Sequence, residues 1–446
     1  MKTAPKGFAV LLALALLCAA AIPAPAGAGE FDNPEGHYLW GVQLCEQGMY
    51  AEAMQPLNMA IELNPEYADA YNYRGFAYAG LGQYELALEN FATAIELGPD
   101  IASAYYNRGN VLYIQAQYDL AFADFEKAIE LDPDHADAYE YRGIIYHDRQ
   151  QYAQAIADYT KAIEGNPYAA NTYRNRGIAY CNQGRRELAV ADFNKAIELI
   201  PDFAFAYYNR GITFYLQRQY DPAAADFTKT IELIPDDPDA YEYRAMIYHE
   251  RGRYDLAIED YTKAIERNPQ PANIYRNRGI AYCNQERRDL AVADFNKAIE
   301  LIPDFAFAYY NRGVTFYLQG QFDLAIADFT KTIELIPDDP DAYEYRGIIH
   351  HEQERYDLAV EDYTKAIGLN PQSVGAYRNR GIVYRDQGQY GLAIADFARS
   401  IKLSLGDAAY TGGELAHVHR EREATAVADS ARALLLLVRD LLQIER

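Results

Sequence analysis

Pro65, Pro99, Pro133, Pro167, Pro201, Pro235, Pro269, Pro303, Pro337 and Pro371 follow one another at intervals of 34 residues without a slip. An ordinary globular domain has no reason to return one residue at a fixed interval; a chain of repeated supersecondary units does. With Ala68 as slot 1 of a 34-residue unit, these prolines fall at slot 32. Slot 4 is then Tyr from Tyr71 to Tyr377, slot 20 is Ala from Ala53 to Ala393, and slot 28 is Ile from Ile61 to Ile401. Slot 8 is Gly from Gly41 to Gly381 except at Ala245, and slot 24 is Phe, Tyr or Leu. The spacings 4, 8, 11 and 20, 24, 28 are helical, and each set makes one apolar stripe. Each unit therefore reads as two antiparallel amphipathic helices, over about slots 1–14 and 15–30, the second stopped by proline. Small residues at slots 8 and 20 let the two helices approach, and rings at slots 4, 11 and 24 fill the space beside them.

One such hairpin cannot bury its own stripe, but stacked neighbours can, so the expected core is a series of nearest-neighbour interfaces. At 50% hydrophobic and 24% charged residues, the 446-residue chain is too apolar to be a disordered acidic polymer. Acidic residues outnumber basic ones 65 to 41, for a net charge of -24. That balance argues against a nucleic-acid ligand, which needs clustered Lys and Arg to displace counterions.

The run Tyr139, Gly143, Tyr146, Ala155, Tyr159, Ala162 and Pro167, recurring unit after unit, resembles the tetratricopeptide repeat (TPR) family. The resemblance covers eleven units: 34–67, 68–101, 102–135, 136–169, 170–203, 204–237, 238–271, 272–305, 306–339, 340–373 and 374–407, numbered repeats 1 to 11 below. It implies an all-α, right-handed superhelical solenoid of about eleven helix-turn-helix units, whose first helices line a concave groove that receives peptides or partner segments. A longer period is superimposed. Residues 170–203 and 272–305 differ only at Thr172/Ile274, Gly184/Glu286 and Glu187/Asp289, so three units make a higher-order block. Tandem duplication and selection for a periodic binding surface both account for it.

Slot 7 departs from the common family pattern, where Leu is usual. Here it is Arg74, Arg108, Arg142, Arg176, Arg210, Arg244, Arg278, Arg312, Arg346 and Arg380. In the same units slot 23 is Asn90, then Asp124, Asp158, Asp192, Asp226, Asp260, Asp294, Asp328, Asp362 and Asp396. In a hairpin that turns near slot 15 the two slots lie level, which predicts a structural ladder of bidentate Arg–Asp pairs.

Carried over slot by slot, the family's groove would display slots 2, 5, 6, 9, 12 and 13. Slot 6 holds Asn107, Asn175, Asn209, Asn277, Asn311 and Asn379, interrupted by Tyr73, Tyr141, Tyr243 and Tyr345. A primary amide offers donor and acceptor together, so such a row can hold the main chain of an extended peptide without reading its sequence. Local packing is the alternative explanation of the row. Arg174, Arg276 and Arg378 with Tyr208 and Tyr310 at slot 5, and Tyr215 and Tyr317 at slot 12, would add side-chain preference. Lys is missing from these slots, so the carboxylate clamp of chaperone-binding TPR domains is not matched.

Enzymatic signatures are absent: the chain has no GxxxxGK, no HExxH and no CxxC. His147, His249 and His351 recur three units apart, too far from one another for a shared metal. No cofactor is expected. Residues 1–28 read as an export signal, with Lys2 and Lys6 before an apolar run and Ala26-Gly27-Ala28 at its end, followed by a short linker over 29–33. Export would place the protein in the periplasm or beyond, with Cys45, Cys181 and Cys283 too far apart to pair within one chain. The tail 408–446 carries a helical apolar stripe from Val427 to Leu442, read as a cap on the last repeat, with dimerisation as the alternative. The expected function is that of a non-catalytic scaffold binding neutral or basic proteins or peptides. An assembly or chaperone factor for exported polypeptides is the second reading, and an enzyme with an unrecognised site between repeats the third.

Overall fold

The computed structural model describes residues 33–407, so the expected signal and the C-terminal tail lie outside the described residues. Within them are 22 α-helices and no strand. They divide into two compact units between Leu233 and Ile234. The first unit runs from the helix Pro34–Glu46 to the helix Tyr220–Leu233, and the second from Pro238–Glu250 to Tyr390–Asp407. Each unit is an all-α solenoid of helix pairs.

Repeat 5 shows the pattern: a first helix, Ala170–Asn182, and a second, Arg186–Leu199. The second helix thus opens at slot 17, later than the periodicity alone predicts. Slots 14–16 form a tight turn instead, in which Gly184 has φ +77° and Arg185 donates its N–H to the Tyr180 carbonyl at 2.9 Å. This left-handed cap satisfies a carbonyl at the end of the first helix and redirects the chain. At the start of several first helices a side chain supplies the opposite cap. Asp237 accepts from the Asp239 N–H at 3.0 Å ahead of Pro238, and Ser373 accepts from the Ala376 N–H at 3.1 Å.

Slot 15 is not always glycine. Ala116, Gln150, Arg218, Glu286 and Glu354 adopt φ of 58–60° there, a conformation that costs a side-chain-bearing residue about 1 kcal/mol or more. Because repeats 5 and 8 are almost identical, Glu286→Gly is expected to stabilise the repeat 8 hairpin by about 1 kcal/mol, and Gly184→Glu to weaken repeat 5 by a similar amount. Hydrogen exchange of the amides in the two repeats measures both changes locally.

Inside each hairpin the ring at slot 24 lies against slot 8. A Cβ added at Gly177 would sit 2.7 Å from the Phe193 ring, which is why the position is so uniformly glycine. Ala245, fully buried, takes the same slot in repeat 7, whose slot 24 ring is Tyr261. Between repeats the same rings meet the next first helix: Ala325 and Phe329 of repeat 9 pack with Ala342 and Ile349 of repeat 10. Cys45, Cys181 and Cys283 are all free thiols, and Cys283 Sγ meets Thr315 Oγ1 of the following repeat at 3.0 Å.

Candidate functional site

Nine arginines at slot 7, from Arg108 to Arg380, each donate through Nε and Nη2 to the two carboxylate oxygens of the aspartate sixteen residues on, at 2.7–2.9 Å. In repeat 2 the Arg74 Nε donates to Asn90 Oδ1 at 2.8 Å. The aspartate side chains are only 4–9% exposed. Each guanidinium also lies over the slot 4 ring of its own repeat, for example Arg176 over Tyr173 at 5.6 Å, within cation–π range.

A further contact was not readable from the sequence. The remaining guanidinium nitrogen, Nη1, donates across the repeat boundary to slot 25 of the preceding second helix: Arg176 to Thr160 at 3.1 Å, Arg278 to Thr262 at 3.0 Å and Arg346 to Thr330 at 3.1 Å. Asn58, Asn194 and Asn296 accept in the same way from Arg74, Arg210 and Arg312. One side chain therefore joins three helices. A second set of ties runs along the turns, where the slot 14 side chain reaches the slot 18 carboxylate of the repeat before: Gln285 to Asp255 at 2.6 Å, Gln319 to Asp289 at 3.0 Å, Gln387 to Asp357 at 3.2 Å, and Arg149 to Asp119.

The slot 6 asparagines lie on one face of the first helices, and each already makes a bond within the protein. Asn175 and Asn277 accept from Arg174 and Arg276 at 2.8 Å. Asn107 donates to Asn72 Oδ1 at 3.0 Å, and Asn379 donates to Glu344 Oε1 at 3.3 Å. Asn209 and Asn311 turn Nδ2 back onto the Phe205 and Phe307 carbonyls, both at 2.6 Å. Since an amide has two donors and two acceptor lone pairs, one bond leaves capacity over.

The slot 5 arginines are held in place as well. Arg174 lies over the Phe203 ring at 5.6 Å and Arg276 over Phe305 at 5.8 Å. Burial lowers the pKa of both guanidinium groups, opposed by the nearby Glu140 for Arg174 and by Tyr261 and Glu242 for Arg276. Burial likewise pushes the carboxyls of Glu140, Glu242 and Glu344 above their ordinary range. Arg378 donates to Asn379 Oδ1 at 3.3 Å. Tyr208 and Tyr310 meet Phe227 and Phe329 edge-on at 6.0 and 5.8 Å, while Tyr215 and Tyr317 lie beside Tyr220 and Phe322. The slot 12 histidines bridge to the next repeat: Asn182 Nδ2 is 3.0 Å from His147 Nε2, and Asp386 Oδ2 is 2.9 Å from His351 Nε2.

Large apolar side chains stand in solvent on this same first-helix face. Phe205 and Phe307 at slot 2 are 50% and 53% exposed, and Leu216 and Leu318 at slot 13 are 49% and 51% exposed. The outer side of the second helices differs: Lys195–Glu198 at 2.7 Å and Lys297–Glu300 at 2.6 Å represent a row of solvated ion pairs. Leucines at slot 19, among them Leu188 and Leu290, are also exposed on the second helices. Among the described residues no group of three or more His, Cys, Asp or Glu could hold a metal ion, and no helix is long and apolar enough to cross a membrane.

Of the solved structures, YrrB, a TPR protein with an unusual peptide-binding site, is 28% identical over 41% of this chain and 95% of its own, with a TM-score of 0.39. Yeast Tom70 is 16% identical over 92% and 99%, with a TM-score of 0.43. The pilF protein of Pseudomonas aeruginosa is 22% identical over 46% and 94%, with a TM-score of 0.42. No curated protein matches the chain. The tetratricopeptide repeat pattern matches residues 102–135, 204–237 and 306–339, and a second pattern of the family matches 374–407. A longer TPR repeat pattern matches 41–82, 78–115, 143–184, 179–218, 245–286, 281–320 and 347–388. Those last segments alone span more than half of the chain, and with the hairpins on which they fall they make it a member of the tetratricopeptide repeat family.

Proposed function

We propose that the protein is an exported, non-catalytic scaffold that binds extended polypeptide along the face of its first helices. The observation that carries this reading is the juxtaposition on single helices of exposed apolar side chains with amides that keep hydrogen-bonding capacity: Phe205, Asn209 and Leu216, and again Phe307, Asn311 and Leu318. The apolar groups gain by leaving water, and the amides hold a main chain in any sequence. The repeated Lys–Glu pairs of the second helices are already mutually satisfied and offer little to a ligand. Residues 1–28, with Lys2 and Lys6 ahead of an apolar run and Ala26-Gly27-Ala28 at its end, support export.

Site-specific photocrosslinking tests the location. A photoreactive residue in place of Leu216 or Leu318 is expected to capture polypeptide from the cell envelope, and one in place of Leu188 or Leu290 is not. Adducts formed only from the second-helix positions would move the function to the other face.

A further inference from the structure

Two places on the first-helix face repeat one arrangement of rings and acids. In the second unit Tyr310 and Tyr317 of repeat 9 meet Tyr345 of repeat 10 edge-on, with centroids 5.8 and 6.2 Å apart. Tyr345 in turn stacks on Phe329 at 5.5 Å with an interplanar angle of 17°. In the first unit Tyr106, Tyr113 and Tyr141 stand in the same relation at 6.2 and 5.7 Å, and Tyr141 stacks on Phe125 at 5.6 Å. These rings are half-buried, so their positions are set by the cores beneath them.

The first helix of the following repeat carries carboxylates at slots 2, 5 and 13 beside each trio: Asp341, Glu344 and Glu352 in one place, Asp137, Glu140 and Asp148 in the other. Glu352 accepts from the Tyr317 hydroxyl at 3.3 Å. Burial, then Tyr345, Asp341, Asp339 and Glu344, push the Tyr310 hydroxyl's pKa up; burial, then Asp137, Tyr141 and Glu140, do so for Tyr106. Burial, then Asp148, raise the pKa of the Tyr113 hydroxyl in the same way. Glu344 is engaged by Ser373, at the end of its own repeat, and by Asn379 of repeat 11. Asp341 and Glu352 in one place, and Asp137 and Asp148 in the other, are exposed at the rim.

We propose that each of these places receives a lysine or arginine side chain of an extended polypeptide, its aliphatic stem along the tyrosine rings and its charge among the rim carboxylates. The proposal rests on the groove reading above and names the chemistry of the ligand. Ring quadrupoles and carboxylates attract the same cation, and a long basic stem suits an apolar wall that ends in acids. The occupant is a polypeptide because exposed apolar side chains flank the rings, Phe307 and Leu318 in repeat 9, and those require apolar neighbours on the ligand. The net charge of -24 adds long-range attraction for such a segment.

The test uses the full chain and two capped peptides that differ in one central residue, lysine or norleucine, each flanked by leucines. The lysine peptide is expected to bind roughly threefold or more tightly at low salt. A variant carrying Asp137→Asn, Asp148→Asn, Asp341→Asn and Glu352→Gln keeps every ring and should reduce that preference while leaving norleucine-peptide affinity unchanged. Tyr113→Leu with Tyr317→Leu should weaken the lysine peptide more than the norleucine peptide. Equal binding of the two peptides to the natural chain, or a preference undiminished by the carboxylate variant, would overturn the proposal. If spermine competes as well as the lysine peptide, the site takes a free cation and the polypeptide assignment falls. If both peptides bind equally and Asn209→Ala with Asn311→Ala weakens both roughly tenfold, the groove reading stands without this inference; if neither binds, both fall.

Discussion

Arg210→Leu is expected to lower the local stability of repeats 5 and 6 by about 3 kcal/mol at neutral pH, and adding Asp226→Leu is expected to restore most of it. The Arg210 guanidinium makes two bonds to Asp226, at 2.8 and 2.7 Å, and a third to Asn194 of the preceding repeat. The Asp226 side chain is 6% exposed, so without its partner it is a buried, uncompensated charge. Removing both members eliminates that charge along with the bond, and leucine is the residue the family usually places at slot 7. Full recovery is not expected because the tie to Asn194 is lost either way.

The pH dependence has a definite sign. Burial raises the Asp226 carboxyl above its ordinary value of 3.8, with Arg210 opposing the rise. Without Arg210 the rise is larger. A carboxyl whose pKa is raised by folding favours the folded state while protonated, and that contribution is lost as the pH climbs through the raised value. The Arg210→Leu deficit should therefore be greatest at neutral pH and shrink as the pH falls toward 3.8. Hydrogen exchange across repeats 5 and 6 reads both effects without assuming that the whole array unfolds in one step. Simply additive losses in the double variant would contradict a paired buried charge.

How much of this is legible in the sequence follows from the range of each contact. Arg210 and Asp226 are sixteen residues apart in one hairpin, so two helical periods and one turn place them level. The partner of Arg210 in the preceding repeat, Asn194, depends on how hairpins stack, and a single periodic sequence does not encode that offset. The same holds for Gln285 and Asp255, thirty residues apart at successive turns. Periodicity predicts a second helix from slot 15, whereas it opens at slot 17: five repeats, including Glu286 in repeat 8, put a side-chain-bearing residue where a glycine would mark the left-handed turn. For the slot 6 asparagines, periodicity revealed the shared face but not the rotamer. Asn209 folds its amide back onto Phe205 and Asn175 is occupied by Arg174, so the row is a set of partly engaged groups whose spare capacity differs from repeat to repeat.

That difference selects the residues for the decisive binding experiment. Asn175 and Asn277 hold half-buried arginines, and changing them would disturb the fold. Asn209 and Asn311 are tied only to their own helices, so Asn209→Ala with Asn311→Ala should leave stability nearly unchanged. If a bound main chain uses their remaining donors and acceptors, each loss costs about 1 kcal/mol, and together they weaken binding roughly tenfold or more. The control carries Lys195→Ala and Lys297→Ala on the second helices, which removes two exposed ion pairs of negligible energetic value. The measurement is the affinity of the natural chain and of these two variants for a polypeptide captured at Leu216 or Leu318. Weakened binding by the asparagine variant, with the lysine variant unaffected, is the result expected of a scaffold that works through its first helices; unchanged binding by the asparagine variant and loss by the lysine variant would contradict it.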